Sequence, residues 1–203
     1  MRRAAFVLAT LSAVPAAIHA QACIGQAAWS AGKMKVGGSL EVDGGTTVLG
    51  GLGIGKDQGF FFGAGAGFNS VAGESQVLLT GGLGKELNKK LADKVAICPV
   101  GNVILGLPKD GFSFQRITAG LSGGYPLSSS SGSLGIILTG ALQLGFHHGS
   151  FEGTGTTDFV GVIDAGAGFI LNERISLVPL LRIYFGDGSD VAFAARANIA
   201  LGK

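Results

Sequence analysis

From Arg174 to Phe185, and again from Val191 to Leu201, apolar side chains recur at every second position. Ile175, Leu177, Pro179, Leu181, Ile183 and Phe185 share one parity, and Arg174, Ser176, Val178, Leu180, Arg182 and Tyr184 fall on the other. Val191, Phe193, Ala195, Ala197, Ile199 and Leu201 repeat the pattern opposite Arg196 and Asn198. Adjacent side chains on a β-strand point to opposite faces, so period two predicts strands with one apolar and one polar face. The rule extends to 33–42, where Met34, Val36, Leu40 and Val42 oppose Lys35, Ser39 and Glu41. It holds in 136–147 (Leu138, Leu142, Leu144 and Phe146 against Thr139, Gln143 and His147) and in 159–171 (Phe159, Ile163, Phe169 and Leu171 against Asp164). Turn signals cut the chain between these runs: Asp43-Gly44-Gly45, Lys56 to Gly59, Ala72-Gly73-Glu74, Asn88-Lys89-Lys90, Pro108 to Gly111, Ser128 to Ser133, Gly149 to Asp158, Asn172-Glu173-Arg174 and Asp187 to Asp190. Gly, Asp and Asn supply the conformations that tight hairpins need.

These cuts leave about ten segments of roughly ten residues, the length of a tilted strand crossing a bilayer. Merging the first two hairpins would leave eight strands; ten fits the turns better. Helices fare worse. A spanning helix needs roughly 18 or more apolar residues, and the longest mature stretch, Leu134 to Phe146, falls short. Lys85 to Lys94 reads as a short helix or a polar turn. Only helices and closed barrels satisfy every backbone polar group in lipid. Charged residues are 14%, against about 25% in a typical soluble domain. Glycine contributes 37 of 203 residues and hydrophobic residues 47%, too apolar for a solvated coil.

The amino terminus reads as an export signal, residues 1–22. Arg2 and Arg3 precede an apolar run, Ala4 to Ala17, and small residues offer cleavage after Ala20 or Ala22. A retained anchor, or lipidation at Cys23, are the alternatives. Residues 23–203 are then a single domain. Without Arg2 and Arg3 the mature chain carries 13 basic and 13 acidic residues, which gives no reason to expect nucleic acid as a partner. Cys23 and Cys98 are the only cysteines, and in an exported chain an even pair reads as a disulfide. Two cysteines without nearby histidine make a metal site unexpected, and no cofactor is indicated.

Alternation alone does not say whether the apolar face looks inward or toward lipid. Aromatic placement favours lipid. One end collects Phe68, Phe112, Phe114, Phe146, Phe159, Phe185 and Phe193; the other collects Trp29, Phe60, Phe61, Phe62, Tyr125 and Phe169. Two such girdles mark the interfaces of a membrane barrel. An even strand number places both termini on one side, expected to be periplasmic. Pro179 inside a strand and Phe114 on the face of Arg116 fit the pattern poorly, and a bulge is expected near Phe114.

The signal followed by Ala22-Cys23, the Cys98-Pro99-Val100 opening of a strand, and glycine-rich strands joined by Asp-Gly turns resemble the small bacterial outer-membrane barrels of the OmpA/OmpX-like superfamily. The resemblance implies an all-β, closed, antiparallel up-and-down barrel in the outer membrane. Its implied partners are outer-membrane lipid and the barrel-assembly machinery. It carries over no catalytic residue, and the terminal Ala200 to Lys203 lacks the final aromatic residue of many such proteins. Inside the barrel Glu41, Glu74, Arg116, Asp164, Arg182 and Arg196 are expected to form a charge network. Asp164 is expected to pair with Arg182 or Arg196, filling a narrow lumen rather than lining a pore. His148, Ser150 and Glu152 combine the ingredients of an acyl-transfer site. His148-x-Ser150 resembles the His-x-Ser of outer-membrane lipid A deacylases, but is expected in a glycine-rich loop. The main expectation is a non-enzymatic membrane barrel with a structural, surface or small-solute role. A membrane hydrolase and a soluble periplasmic barrel holding an apolar ligand are the rivals.

Overall fold

The computed structural model describes residues 34–55, 59–71, 73–87, 95–129, 134–171, 174–186 and 189–201. Residues 1–22, Cys23, Trp29 and the segment 88–94 lie outside them, as do the expected signal and one partner of the expected disulfide. Ten strands follow in order: β1 (Met34–Val42), β2 (Thr46–Gly55), β3 (Phe60–Val71), β4 (Glu74–Lys85), β5 (Ala96–Lys109), β6 (Phe112–Ser129), β7 (Leu134–Phe151), β8 (Thr154–Leu171), β9 (Ile175–Gly186) and β10 (Asp190–Leu201). Each pairs antiparallel with its neighbours in sequence, and β1 pairs with β10, so the sheet closes into a barrel. Closure leaves no unpaired edge.

Met34 pairs with Leu201, placing the first and last strand residues together at what we call the terminal end. The opposite, hairpin end carries the tight connections β1–β2, β3–β4, β5–β6, β7–β8 and β9–β10. Asp110-Gly111 (φ 50° and 78°) and Glu152-Gly153 (φ 49° and 84°) turn the chain there with two residues each. Two consecutive positive φ values match the twist of a two-residue hairpin.

Side-chain exposure settles which way each face looks. Leu83 is 67% exposed and Phe193 72%, and Leu121, Leu142, Ile117 and Phe146 are likewise on the outside. Lys35, Gln143, Asp164, Arg196 and Asn198 are enclosed. The girdles are thinner than the sequence suggests. Phe61 is buried inside the barrel. Phe114 keeps strict alternation with Arg116 and also looks inward, stacked on His147 at 5.3 Å between ring centres. No register shift occurs between Phe114 and Arg116 on the β6–β7 ladder; the nearby bulge is on β5, between Gly106 and Lys109.

Proline explains that bulge and others. A proline cannot donate to a ladder. Pro108 lies within the β5 shift, and Pro126 flanks a second shift that ends at Ser128. Pro99 sits just past the last β4–β5 pair, Gly84 with Val100. At Pro179 the β8–β9 pairing lapses between Gly166–Leu180 and Phe169–Leu177 without changing register. The strand therefore tolerates Pro179 while its ring faces outward.

The segment Gly149 to Asp158, expected as the longest loop, is instead a hairpin. β7 continues to Phe151 and β8 restarts at Thr154, in register from Phe151–Thr154 onward. β8 meets β9 only from Val160–Gly186, so its first residues stand beyond β9. On the outer face of this extension Gln115, His148 and Thr157 replace apolar residues. The apolar belt ends just below, where the Phe146 and Phe159 rings meet edge-on at 6.4 Å.

Candidate functional site

The lumen has two unlike walls. On β2 and β3 the inward positions are Gly51, Gly53, Gly63, Gly65 and Gly67, broken by Thr47, Leu49, Phe61 and Asn69. Gly51 faces Gly65 across the ladder, and a Cβ on Gly51 would sit 2.7 Å from the Ala64 carbonyl oxygen. The strands bend too closely there for a side chain. On β8, β9 and β10 the inward positions carry Asp164, Arg182, Tyr184 and Arg196.

These long side chains reach across and meet Glu41 of β1. Arg182 grips Asp164 with two parallel bonds, Nε to Oδ1 at 2.7 Å and Nη2 to Oδ2 at 2.8 Å. Its Nη1 donates to Glu41 Oε2, and the Tyr184 hydroxyl donates to Glu41 Oε1. Arg196 Nη2 approaches Asp164 Oδ2 at 3.5 Å. Arg116 donates through Nη1 to the Tyr184 hydroxyl at 3.3 Å and lies 5.0 Å from the centre of its ring. Bidentate charge-assisted bonds of this kind are the strong class. They offset a desolvation cost that would otherwise be several kcal/mol per ion. A second, neutral cluster lies deeper: Thr118 Oγ1 donates to Gln143 Oε1 at 3.0 Å, as does the Asn102 amide.

Toward the terminal end two apolar clusters line the lumen, beside the buried Lys35, Ser122 and Ser176. Phe61, Cys98 and Val100 pack together on one side, and Ile137, Ile170, Val178, Leu180 and Ala194 on the other. Cys98 is wholly buried in this layer. Its expected partner, Cys23, lies outside the described residues.

Of the residues singled out from sequence, Glu41, Asp164, Arg182 and Arg196 come together, with Arg116 joined through Tyr184. Glu74 does not join them. It stands exposed at the hairpin end of β4, where Lys109 Nζ donates to its Oε2 at 2.9 Å. Tyr184 is the member that sequence reasoning passed over, although its parity with Arg182 placed it on the same face. His148 and Ser150 occupy β7 rather than a loop, and Glu152 the turn after it. His148 Nδ1 is bonded to Thr157 Oγ1 at 2.8 Å. Among the described residues no hydrogen bond joins His148, Ser150 and Glu152.

At the mouth Asp43 sits in the β1–β2 turn. Partial burial, and then the nearby Glu41 carboxylate, hold its carboxyl above the ordinary range, and a bond to the Gly45 backbone only partly opposes this.

No protein-family model matches the sequence, and no curated protein is similar to it. Solved structures are similar in shape. The β domain of the Bordetella autotransporter BrkA superposes with a TM-score of 0.56 at 16% identity, over 85% of this chain and 86% of that one. The N-terminal barrel of Pseudomonas aeruginosa OprF gives 0.41 at 9% identity, covering 84% and 98%. Neisserial surface protein A gives 0.41 at 8% identity, covering 83% and 95%. With its closed antiparallel topology and its likeness to the BrkA domain, the chain has the fold of an outer-membrane β-barrel.

Proposed function

We infer that this chain is an integral outer-membrane barrel without enzymatic activity, serving the structure or surface of the envelope or handling a small solute. The observation that carries this reading is the inside-out distribution of polarity. Leucine, isoleucine and phenylalanine cover the outside, while Asp164, Arg182 and Arg196 are enclosed. A soluble protein seldom exposes a continuous apolar patch beyond a few hundred Å². In hydrocarbon the same surface costs nothing, and a closed sheet leaves no backbone group unpaired. The soluble rival needs its apolar residues inside, and here most of the large ones face outward while the lumen encloses Glu41, Asp164, Arg182 and Arg196. The apolar layer around Cys98 and Val178 supports a lumen stopped at its terminal end rather than an open channel.

The test is fractionation followed by gel mobility. The protein is expected to stay with membranes through carbonate washing, to need detergent for extraction, and to run as a compact band that shifts on boiling. Release by salt or carbonate alone overturns the reading. The same gel, run with reductant, tests a Cys23–Cys98 bridge: reduction should lower the temperature at which the compact band is lost. The termini are proposed to be periplasmic. A short epitope at Glu152–Gly153 should then be reached by antibody on intact cells. Ser150→Ala should leave lipid A acylation unchanged; an altered pattern would favour the hydrolase.

A further inference from the structure

Two buried arginines with unpartnered donors flank a cavity inside the barrel. All four oxygens of Glu41 and Asp164 already accept from Arg182, Arg196 or Tyr184. Among the described residues Arg196 Nη1 and Arg116 Nε are buried with no hydrogen-bond partner, as are the hydroxyls of Ser122 and Thr139. The Arg196 side chain is only 10% exposed. Leaving such donors unpaired out of water costs more than a typical hydrogen bond contributes, so a partner at these atoms is expected.

Both arginines line one cavity of about 190 Å³. It lies between the charged wall and the glycine wall, and reaches the hairpin end at Asp43, Thr47 and Asn69. The glycines opposite Arg196 keep that space free of side chains. At roughly 30 Å³ per water, it has room for one small oxyanion and a few waters. Three guanidinium groups face the carboxylates of Glu41 and Asp164 inside, while Asp43 and Asp190 stand at the mouth and Asp158 lies beside His147. Guanidinium groups match the planar fork of an oxyanion.

We propose that the lumen is a binding site for a small oxyanion, a phosphate or a carboxylate, entering from the hairpin end and held by Arg116 and Arg196. Arg182 is committed to Asp164 and Glu41 and acts as a positioning residue, holding Asp164 where it steers Arg196. The assignment rests on the barrel reading above and names the class of solute that its lumen takes.

The experiment uses the full chain, folded in detergent. Inorganic phosphate and succinate are titrated separately by calorimetry against sodium chloride of equal ionic strength. Saturable heat from phosphate alone, from succinate alone or from both supports the site and identifies the oxyanion. Arg116→Gln removes a group that holds no carboxylate directly and meets the Asp164 network only through the Tyr184 hydroxyl. It should weaken binding by about tenfold or more, the loss expected for one charge-assisted bond. Arg196→Gln should do the same, and Arg196→Lys should restore part of it. Retention of the compact, heat-modifiable gel band in each variant separates lost binding from lost fold. No saturable heat from either anion on a folded wild-type barrel overturns the site while leaving the barrel reading intact. Undiminished binding in both glutamine variants also overturns it. Wild-type protein lacking the heat-modifiable band overturns the barrel reading, and this site falls with it.

Discussion

The glycine wall of β2 and β3 and the charged wall of β8 to β10 present the same surface to the outside and opposite surfaces to the lumen. Outside, Leu52, Ile54, Phe62 and Phe68 on the first match Ile163, Leu177, Ile183 and Phe193 on the second. Inside, one wall has backbone where the other has arginine. The difference teaches that the exterior is set by the solvent it meets, which is uniform, while the interior answers to geometry. A barrel of this size is nearly filled by side chains from one side. Long residues on β9 and β10 are accommodated because β2 and β3 offer none.

The comparison can be broken most severely on the charged wall. Asp164→Ala strips both Arg182 and Arg196 of their carboxylate. Breaking a buried pair by removing one partner costs about 3–5 kcal/mol, so the compact gel band should be lost at markedly lower urea or temperature. An unchanged midpoint would mean that water, not Asp164, holds the arginines. The shared exterior comes next. Leu142→Arg, near the middle of the apolar belt on β7, should cost about 2–4 kcal/mol in lipid, and Phe193→Arg near the hairpin end about 0–1 kcal/mol. Equal costs at both sites would contradict a bilayer around the belt.

The glycine wall is expected to be less sensitive. Gly67→Val would drive a Cβ into the Val48 carbonyl on the adjacent strand. Overpacking of this kind costs about 1–3 kcal/mol, readable as a shifted urea midpoint with the barrel still formed. The smallest effect is at the mouth. The Asp43 carboxyl is held above its ordinary value by burial and then by Glu41. The folded state therefore binds its proton more tightly than the unfolded one. That stability is fully present below the unfolded pKa and is lost as pH rises through the folded one. Lowering the pH from 7 toward 4 should stabilise wild type relative to Asp43→Asn, by about 0.5 kcal/mol or less given the exposure of the rim. A difference of opposite sign would place a cation, rather than Glu41, as the dominant neighbour.

Much of this site could be read before any fold was known. Asp164 and Arg182 lie on facing parities of adjacent hairpin strands, and they pair directly in the β8–β9 ladder. Glu41 could be assigned to the inner face, but not to Arg182, 141 residues away. That contact exists only because β1 closes on β10. The His148 to Thr157 stretch misled for a related reason. Its glycines obscure the strand preference of its threonines, and pairing with β6 and the Glu152-Gly153 turn draw it into strands. Glu74 has the parity of a lumen residue, but its place at the end of β4 puts it at the rim, where water and Lys109 satisfy it.

Period two, the spacing of turns and the scarcity of charge pointed to a chain of eight to ten strands, ten fitting best, each with an apolar face opposite a polar or small-residue one. Those are local properties, repeated along the chain, and each strand carries its own copy. What the tertiary structure alone decided is which ions meet, which glycines leave room, and which apolar side chains turn into the lumen. Such contacts depend on stagger and closure, which bring together residues that no local pattern connects.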